Sequence, residues 1–307
     1  MMKTSYINTF GGPDGIVFST AADTTLQLHE ARVRVEMASV NPLDLKMIAG
    51  YMQQVFPVTF PYTPGTDFSG VVDAVGAGVN NIKPGDRVVG RTAPGAGGAF
   101  AQRLVIAASE LVAIPAEMSF EQAASLPTAF GAARQALFDS SGLQRGERVL
   151  IHAGAGGVGI MAVQLAHHAG AYVIATASGK NIDLVKSLGA YEVLDYRTAD
   201  LTQLPEIDLV IDTIGGDVLE QSWPVLAPGG RIASLVAFDI APRNGHPGTF
   251  VFFADAASVL PDAIAMFLAG QLQIITDAIF PLDQARAALE KLATGHARGK
   301  VLIRTTN

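Results

Sequence analysis

The chain has 307 residues, 49% hydrophobic and 16% charged, which fits two well-buried globular domains and excludes long disordered tracts. Its net charge of −7, from 21 basic and 28 acidic residues with no basic run, excludes an electrostatic footprint for nucleic acid or an anionic membrane. It has no cysteine, which excludes disulfides and every cysteine-ligated zinc or iron–sulfur site.

The opening, MMKTSYINTF, carries one lysine and lacks the apolar run of a secretory signal. Later apolar stretches are broken by Gly, Pro or charge before the roughly 18 residues that a membrane helix needs. A cytoplasmic protein with no membrane partner is expected. Residues 1–118 are β-rich in pattern. ARVRVEMASV (Ala31 to Val40) alternates as a strand does. DFSGVVDAVGAGV and GDRVVGR are short β runs between Gly and Pro turns, and GAFAQRLVIAASELVAIP continues the pattern to Pro115. Many short strands punctuated this way predict a barrel or folded sheet.

The character changes near Ser119. SFEQAASLPTAFGAARQALF starts on a Ser capping candidate with Glu121 two residues on, followed by helical apolar spacing. Strands and helices then alternate. RVLIHAG leads to a helix from about Gly157 to Ala169 and then the strand AYVIATA. The helix NIDLVKSLG precedes the strand YEVLDY, and DLVIDTI, DVLEQSWPVL and GRIASLVA read as strand, helix and strand. This alternation predicts a doubly wound parallel sheet over residues 119–255, with TFVFFAD as its last strand. Residues 256–307 hold two helical patterns, AASVLPDAIAMFLAGQL and LDQARAALEKLATG, and the strand KVLIRT, and are expected to return to the first domain.

The segment GAGGVG, Gly154, Ala155, Gly156, Gly157, Val158 and Gly159, has the spacing GxGxxG between a strand and a helix. The first glycine allows a tight turn, the second lets a pyrophosphate approach the backbone, and the third lets the helix pack on the sheet. The helix N-terminus offers unpaired N–H groups to the phosphates. With a second strand following inside a roughly 30-residue unit, the motif has the context that a dinucleotide site requires. Such sites place an acid about 20 residues after the first glycine when they grip an unphosphorylated ribose. Here that region reads Ile174, Ala175, Thr176, Ala177, Ser178, without an acid. Ser178 and Lys180 suit a 2′-phosphate instead, so NADP(H) is favoured over NAD. The plainer alternative makes Ser178 a helix cap and Lys180 a solvated surface residue.

VNPLDLKMIAG (Val40 to Gly50), PGTDFSGVVDAVGAGV (Pro64 to Val79), KPGDRVVG (Lys83 to Gly90), AASLPTAFGAA (Ala123 to Ala133), AGAGGVG (Ala153 to Gly159), LAPGGRIASL (Leu226 to Leu235) and HARGKVLI (His296 to Ile303) lie in order along nearly the whole chain. Together they resemble the zinc-independent quinone oxidoreductase group of the medium-chain dehydrogenase/reductase family. The resemblance implies an α/β fold, with a Rossmann domain inserted into a GroES-like β-rich catalytic domain. It also implies NADPH, hydride transfer to a quinone or another conjugated acceptor, and a homodimer formed by edge pairing of Rossmann sheets. The zinc branches of the family need cysteines that this chain lacks.

Carried over by residue, the resemblance puts Asn41 against the nicotinamide and acceptor, and gives Asp44 the holding of its loop. It makes Tyr51 a cleft aromatic and sets Thr128 near the nicotinamide. Ser178, Lys180 and Tyr196 then contact the adenosine phosphate, joined by Arg298 near the C-terminus, and Phe238 lines the cleft. Plainer readings stand beside these. Asn41 before Pro42 can simply shape a turn, Tyr51 can be a packing residue, and Thr128 can bond its own backbone. His152, His167 and His168 form no metal-spaced set and read as structural or surface residues. Phe250, Phe252 and Phe253 read as sheet and dimer core. Two rival functions share the scaffold: an enone, alkenal or enoyl reductase, and a non-catalytic NADPH-binding sensor or structural protein.

Overall fold

The computed structural model of the protein describes residues 1–22 and 25–306. The chain divides into two compact units, Met1–Thr128 with Ala254–Ala265 and Thr276–Asn307, and Ala129–Phe253 with Met266–Ile275.

The first unit opens with an antiparallel pair, β1 (Met2–Tyr6) and β2 (Val17–Ala21). β3 (Glu30–Val40) follows, and its alternation is visible in burial: Ala31, Val33 and Val35 are buried while Arg32, Arg34 and Glu36 are only partly covered. From Met37 to Val40 every residue is buried, so the strand passes from one covered face to two. α1 (Pro42–Ile48) starts on a proline, whose missing N–H costs nothing in a first turn. Then come β4 (Asp67–Val75), β5 (Arg87–Arg91), β6 (Arg103–Ala107), β7 (Leu111–Ala113) and α2 (Phe120–Ala124). The Ser119 cap closes through Gln122, not Glu121: Ser119 Oγ accepts the Gln122 N–H at 3.2 Å and Gln122 Oε1 accepts the Ser119 N–H at 2.9 Å. The single helix expected from Ser119 is interrupted before Pro127, which disfavours helical backbone at the residue ahead of it. It resumes on the proline as α3 (Pro127–Arg134).

The second unit holds β8 (Arg148–Ile151), α4 (Gly157–His168), β9 (Tyr172–Ala177), α5 (Ile182–Ser187), β10 (Glu192–Asp195), β11 (Ile207–Asp212), α6 (Gly216–Ser222), β12 (Leu226–Ser234) and β13 (Gly248–Phe250). Its six strands run parallel in the order β10-β9-β8-β11-β12-β13. This is the doubly wound Rossmann order, which reverses between β8 and β11. The middles of the central strands are apolar, with Val149, Leu150, Ile151, Leu209, Val210 and Ile211 fully buried, each worth about 1.5–3 kcal/mol of transfer free energy.

α7 (Leu260–Leu268) precedes β14 (Thr276–Pro281), α8 (Ala285–Ala293) and β15 (Lys300–Arg304). β15 returns to the first unit, running parallel to β14 and antiparallel to β3. The GroES-like sheet is thereby ordered β14-β15-β3-β4-β5-β7, with β6 also on β3. Among the described residues no helix is long and apolar enough to cross a membrane.

Candidate functional site

In the second unit the chain leaves β8 at Ile151 and turns through the glycine segment. The left-handed residue of this turn is Ala153, with φ of 52°, not the first glycine. Gly154 is needed for space instead: a Cβ there would stand 2.9 Å from Ala175 Cβ and 3.1 Å from Val185 Cγ1. Gly159 is tighter still, because its Cβ would stand 2.1 Å from the Ala153 carbonyl oxygen. Helix α4 therefore lies directly on the turn. Gly156 is its N-cap and has no side chain to cap with, so the first-turn N–H groups stay open to a ligand. A Cβ on Gly156 would meet only Ala153, with the oxygen at 3.2 Å. Close helix packing, a bare N-terminus and an uncovered second glycine together fit a dinucleotide pyrophosphate.

A buried hydrogen-bond chain holds this turn. Thr176 Oγ1 accepts the Ala153 N–H at 3.1 Å and faces His152 Nδ1 at 3.3 Å. His152 Nε2 faces Ser222 Oγ at 2.8 Å, and Ser222 Oγ donates to the Val218 carbonyl at 2.7 Å. The Ser222 hydroxyl has one hydrogen and gives it to Val218, so Nε2–H donates to Ser222, and in the neutral imidazole Thr176 then donates to Nδ1. Burial pushes the His152 pKa down to about 4, which favours the neutral imidazole.

Three of the predicted phosphate contacts, Ser178, Lys180 and Tyr196, lie at the C-terminal edge of the same sheet. Ser178 follows β9 and is nearly buried, accepting from Asn181 Nδ2 at 3.1 Å; Lys180 is exposed. Tyr196, just after β10, is half exposed with the Arg197 guanidinium 5.3 Å from its ring centre. Phe238 is 54% exposed and packs on Phe250 at 4.6 Å between ring centres. Arg298 is exposed and belongs to the first unit, two residues before β15.

The first unit holds a second constellation, a buried polar cluster. Asn41 is 2% exposed, and both ends of its amide are engaged inside the unit. Its Oδ1 accepts from Lys300 Nζ at 2.5 Å, and its Nδ2 donates to Asp67 Oδ2 at 3.0 Å. Lys300 Nζ also reaches the Val40 carbonyl at 3.3 Å. Asp67 is fully buried and gathers Thr128 twice, from Oγ1 at 2.7 Å and from the backbone N–H at 3.0 Å. Arg91 Nε donates to Thr128 Oγ1 at 3.0 Å and lies 3.7 Å from Asp67 Oδ1. Asp44 caps the start of α1, its Oδ2 accepting the Asn41 N–H at 2.7 Å.

The cluster thus brings Asn41 and Thr128 together through Asp67. It also shows that the Thr128 hydroxyl spends its one hydrogen on Asp67 and keeps none for a ligand. Tyr51 stands apart, 83% exposed beyond the end of α1. Asp67, Arg91 and Lys300 are not candidates of the sequence reading; Asp67 and Lys300 lie within family-like stretches and Arg91 directly follows one, and that placement is their only signal. Among the described residues no group of three or more His, Asp or Glu side chains is placed to hold a metal.

Burial raises the Asp44 pKa to about 7 from its ordinary 3.8, with Asp67 adding to the rise and the Asn41 N–H and Lys300 opposing it. Between about pH 4 and 7 the folded state therefore binds more protons than the unfolded chain, and this group's contribution to stability falls as pH rises. His152, held near 4 against an ordinary 6.5, acts in the opposite direction: the unfolded chain takes up the proton, so its contribution rises with pH over that window. Urea midpoints recorded from pH 4 to 7.5 are expected to rise more steeply with pH in Asp44→Asn than in the parent, and less steeply in His152→Asn. Parallel profiles in all three proteins would contradict both assignments.

Residues 27–116 match the family model described as alcohol dehydrogenase GroES-like domain, and residues 188–303 match that described as zinc-binding dehydrogenase. The chain is 32% identical to the chloroplast envelope quinone oxidoreductase homolog of Arabidopsis thaliana over 99% of its own length and 98% of the relative's. Among solved structures, the quinone oxidoreductase from Coxiella burnetii superposes with a TM-score of 0.93 at 33% identity, covering 99% of both chains. The Escherichia coli quinone oxidoreductase complexed with NADPH superposes with a TM-score of 0.88 at 25% identity, covering 99% of this chain and all of that one.

Proposed function

The chain belongs to the quinone oxidoreductase group of the medium-chain dehydrogenase/reductase family, and on that premise we propose that it is an NADPH-dependent, metal-independent reductase of quinones or similar conjugated carbonyl compounds. The observation that carries the reading is the glycine turn, where α4 packs on Ala153 so closely that no Cβ fits at Gly159. The backbone of Gly154, Ala155, Gly156, Gly157, Val158 and Gly159 holds the pyrophosphate. Ser178 and Lys180 hold the 2′-phosphate, and Tyr196 packs beside it. The reduced nicotinamide, when bound, supplies a hydride.

The protein's own residues position and shield. Asn41 and Thr128, locked by Asp67 and Lys300, form a rigid floor whose atoms do not move when an acceptor arrives. The Asn41 Nδ2 hydrogen not given to Asp67 is the donor that this cluster offers to an oxygen that gains charge. Tyr51 offers an exposed aromatic face to a flat acceptor, and solvent supplies the proton. Two copies pair along β13, the edge strand of the parallel sheet, to give a homodimer.

Loss of reduced-nicotinamide absorbance with a small ortho-quinone, run in parallel with NADPH and NADH, tests the reading. Turnover is expected with NADPH, and Lys180→Ala is expected to weaken NADPH about tenfold while leaving NADH within about twofold. Equal losses for both nucleotides in that variant would remove Lys180 from the phosphate site. Turnover with enones but not quinones would move the acceptor class. NADPH binding without turnover on either would favour a sensor.

A further inference from the structure

We propose that Asp195 sets the nucleotide preference at the ribose end of the site, its charge holding down affinity for the 2′-phosphate so that NADH remains a usable donor beside NADPH. This assignment rests on the nucleotide reading above.

The strand that should end in an acid, β9, ends in Ala177 and is followed by Ser178. The acid is delivered from the neighbouring strand instead. The parallel register pairs Ala177 with Asp195, so the last residue of β10 stands beside the last residue of β9 at the sheet's C-terminal edge. Ligands of open α/β sheets bind outside that edge. The carboxylate turns toward β9: a Cβ built on Gly179 would stand 2.8 Å from Asp195 Oδ2. A negative charge is therefore held against the backbone between Ser178 and Lys180, the two residues assigned to the phosphate. A side chain at position 179 would have to push that carboxylate aside.

The orientation of this acid is fixed. Its Oδ1 accepts the Arg197 N–H at 3.1 Å, and its carbonyl accepts from Thr198 and Ala199 at 3.1 and 2.9 Å. Oδ2, on the Gly179 side, is the oxygen that can accept from a ribose hydroxyl. The same oxygen repels a phosphate that replaces that hydroxyl. Lys180 and Arg197 supply the opposite charge from the two flanking loops. The edge thus carries both an acceptor for an unphosphorylated ribose and cations for a phosphorylated one.

Asp195→Asn separates charge from structure, because the amide oxygen still accepts the Arg197 N–H and the turn keeps its bond. Dissociation constants for NADPH and NADH are measured by calorimetry on the parent and the variant at low and high salt. NADPH is expected to bind roughly tenfold tighter in the variant at low salt, less so at high salt, with NADH unchanged or weaker. Equal shifts for both nucleotides, or none, would overturn the assignment. Failure of the parent to bind either nucleotide would overturn the nucleotide reading and this assignment with it.

Discussion

Lys300→Met is expected to destabilise the protein by about 3–5 kcal/mol in urea unfolding at neutral pH, one of the largest losses a single side chain can cause. Lys300 is 4% exposed, and burial lowers its pKa against the pull of Asp67 and Asp44. Its ammonium is tied to Asn41 Oδ1 and the Val40 carbonyl. Replacing it with an apolar side chain of similar length leaves the buried Asp67 carboxylate with one remaining cation, Arg91, leaves Asn41 Oδ1 without its donor, and drives Asp44, already raised to about 7, further toward its protonated form. Breaking one partner of such a cluster costs far more than the whole cluster contributes, since the other charges stay buried. The double variant Lys300→Met/Asp44→Asn should recover part of the loss, and the size of that recovery measures the coupling. A loss below about 1 kcal/mol would mean that water reaches the cluster and screens it. The same variant releases the Asn41 amide, so the surviving fraction should turn over more slowly than the parent.

Gly159→Ala is expected to weaken nucleotide binding about a hundredfold or more, as a displaced binding element does, with a loss of stability beside it. The added methyl would stand 2.1 Å from the Ala153 oxygen and meet backbone on the Gly154 side at 2.8 Å, so no flexible side chain can yield. The first turn of α4 has to lift from the turn it cradles, taking its N–H groups out of position. Gly15→Ala is the control: nothing lies within 4 Å of a Cβ there, and its stability should stay within about 0.5 kcal/mol of the parent. Calorimetric titration with NADPH separates the two variants. Unaltered affinity in Gly159→Ala would mean that the helix N-terminus is not where the pyrophosphate sits.

These two sites differ in how far the amino-acid pattern exposes them. The glycine turn is local: strand, turn, helix and second strand all lie within one run of residues, and each leaves its own periodicity. Even there the left-handed residue proved to be Ala153, whose N–H is held by the Thr176 hydroxyl of the neighbouring strand, a contact that the local pattern does not carry. The polar cluster is not local. Asn41 and Lys300 are 259 residues apart, and Asp67 and Thr128 are 61 apart. Singly, each has an ordinary explanation as a turn former, a strand end, a helix hydroxyl or a surface lysine. Only the pairing of β15 with β3 and the fold of β4 toward α3 turn four ordinary residues into one buried network. β14 was also missed, because TDAIFP is short and mixed in character and becomes a strand through its pairing with β15. Asp195 shows the same limit from another side: an acid sought along one strand is provided by the next.

The place of β15 in its sheet bears on how the chain is made. β15 is inserted between β14 and β3, so the chain must have emerged from the ribosome as far as Arg304 before the first unit can close its sheet and bury Lys300. The Rossmann strands, by contrast, are all present once residue 250 has emerged. The Rossmann unit can thus acquire its core during synthesis, while the earlier strands wait as an open sheet with β3 lacking one neighbour. A strand that completes a sheet begun far earlier in the chain leaves that sheet exposed to aggregation and proteolysis until the strand emerges.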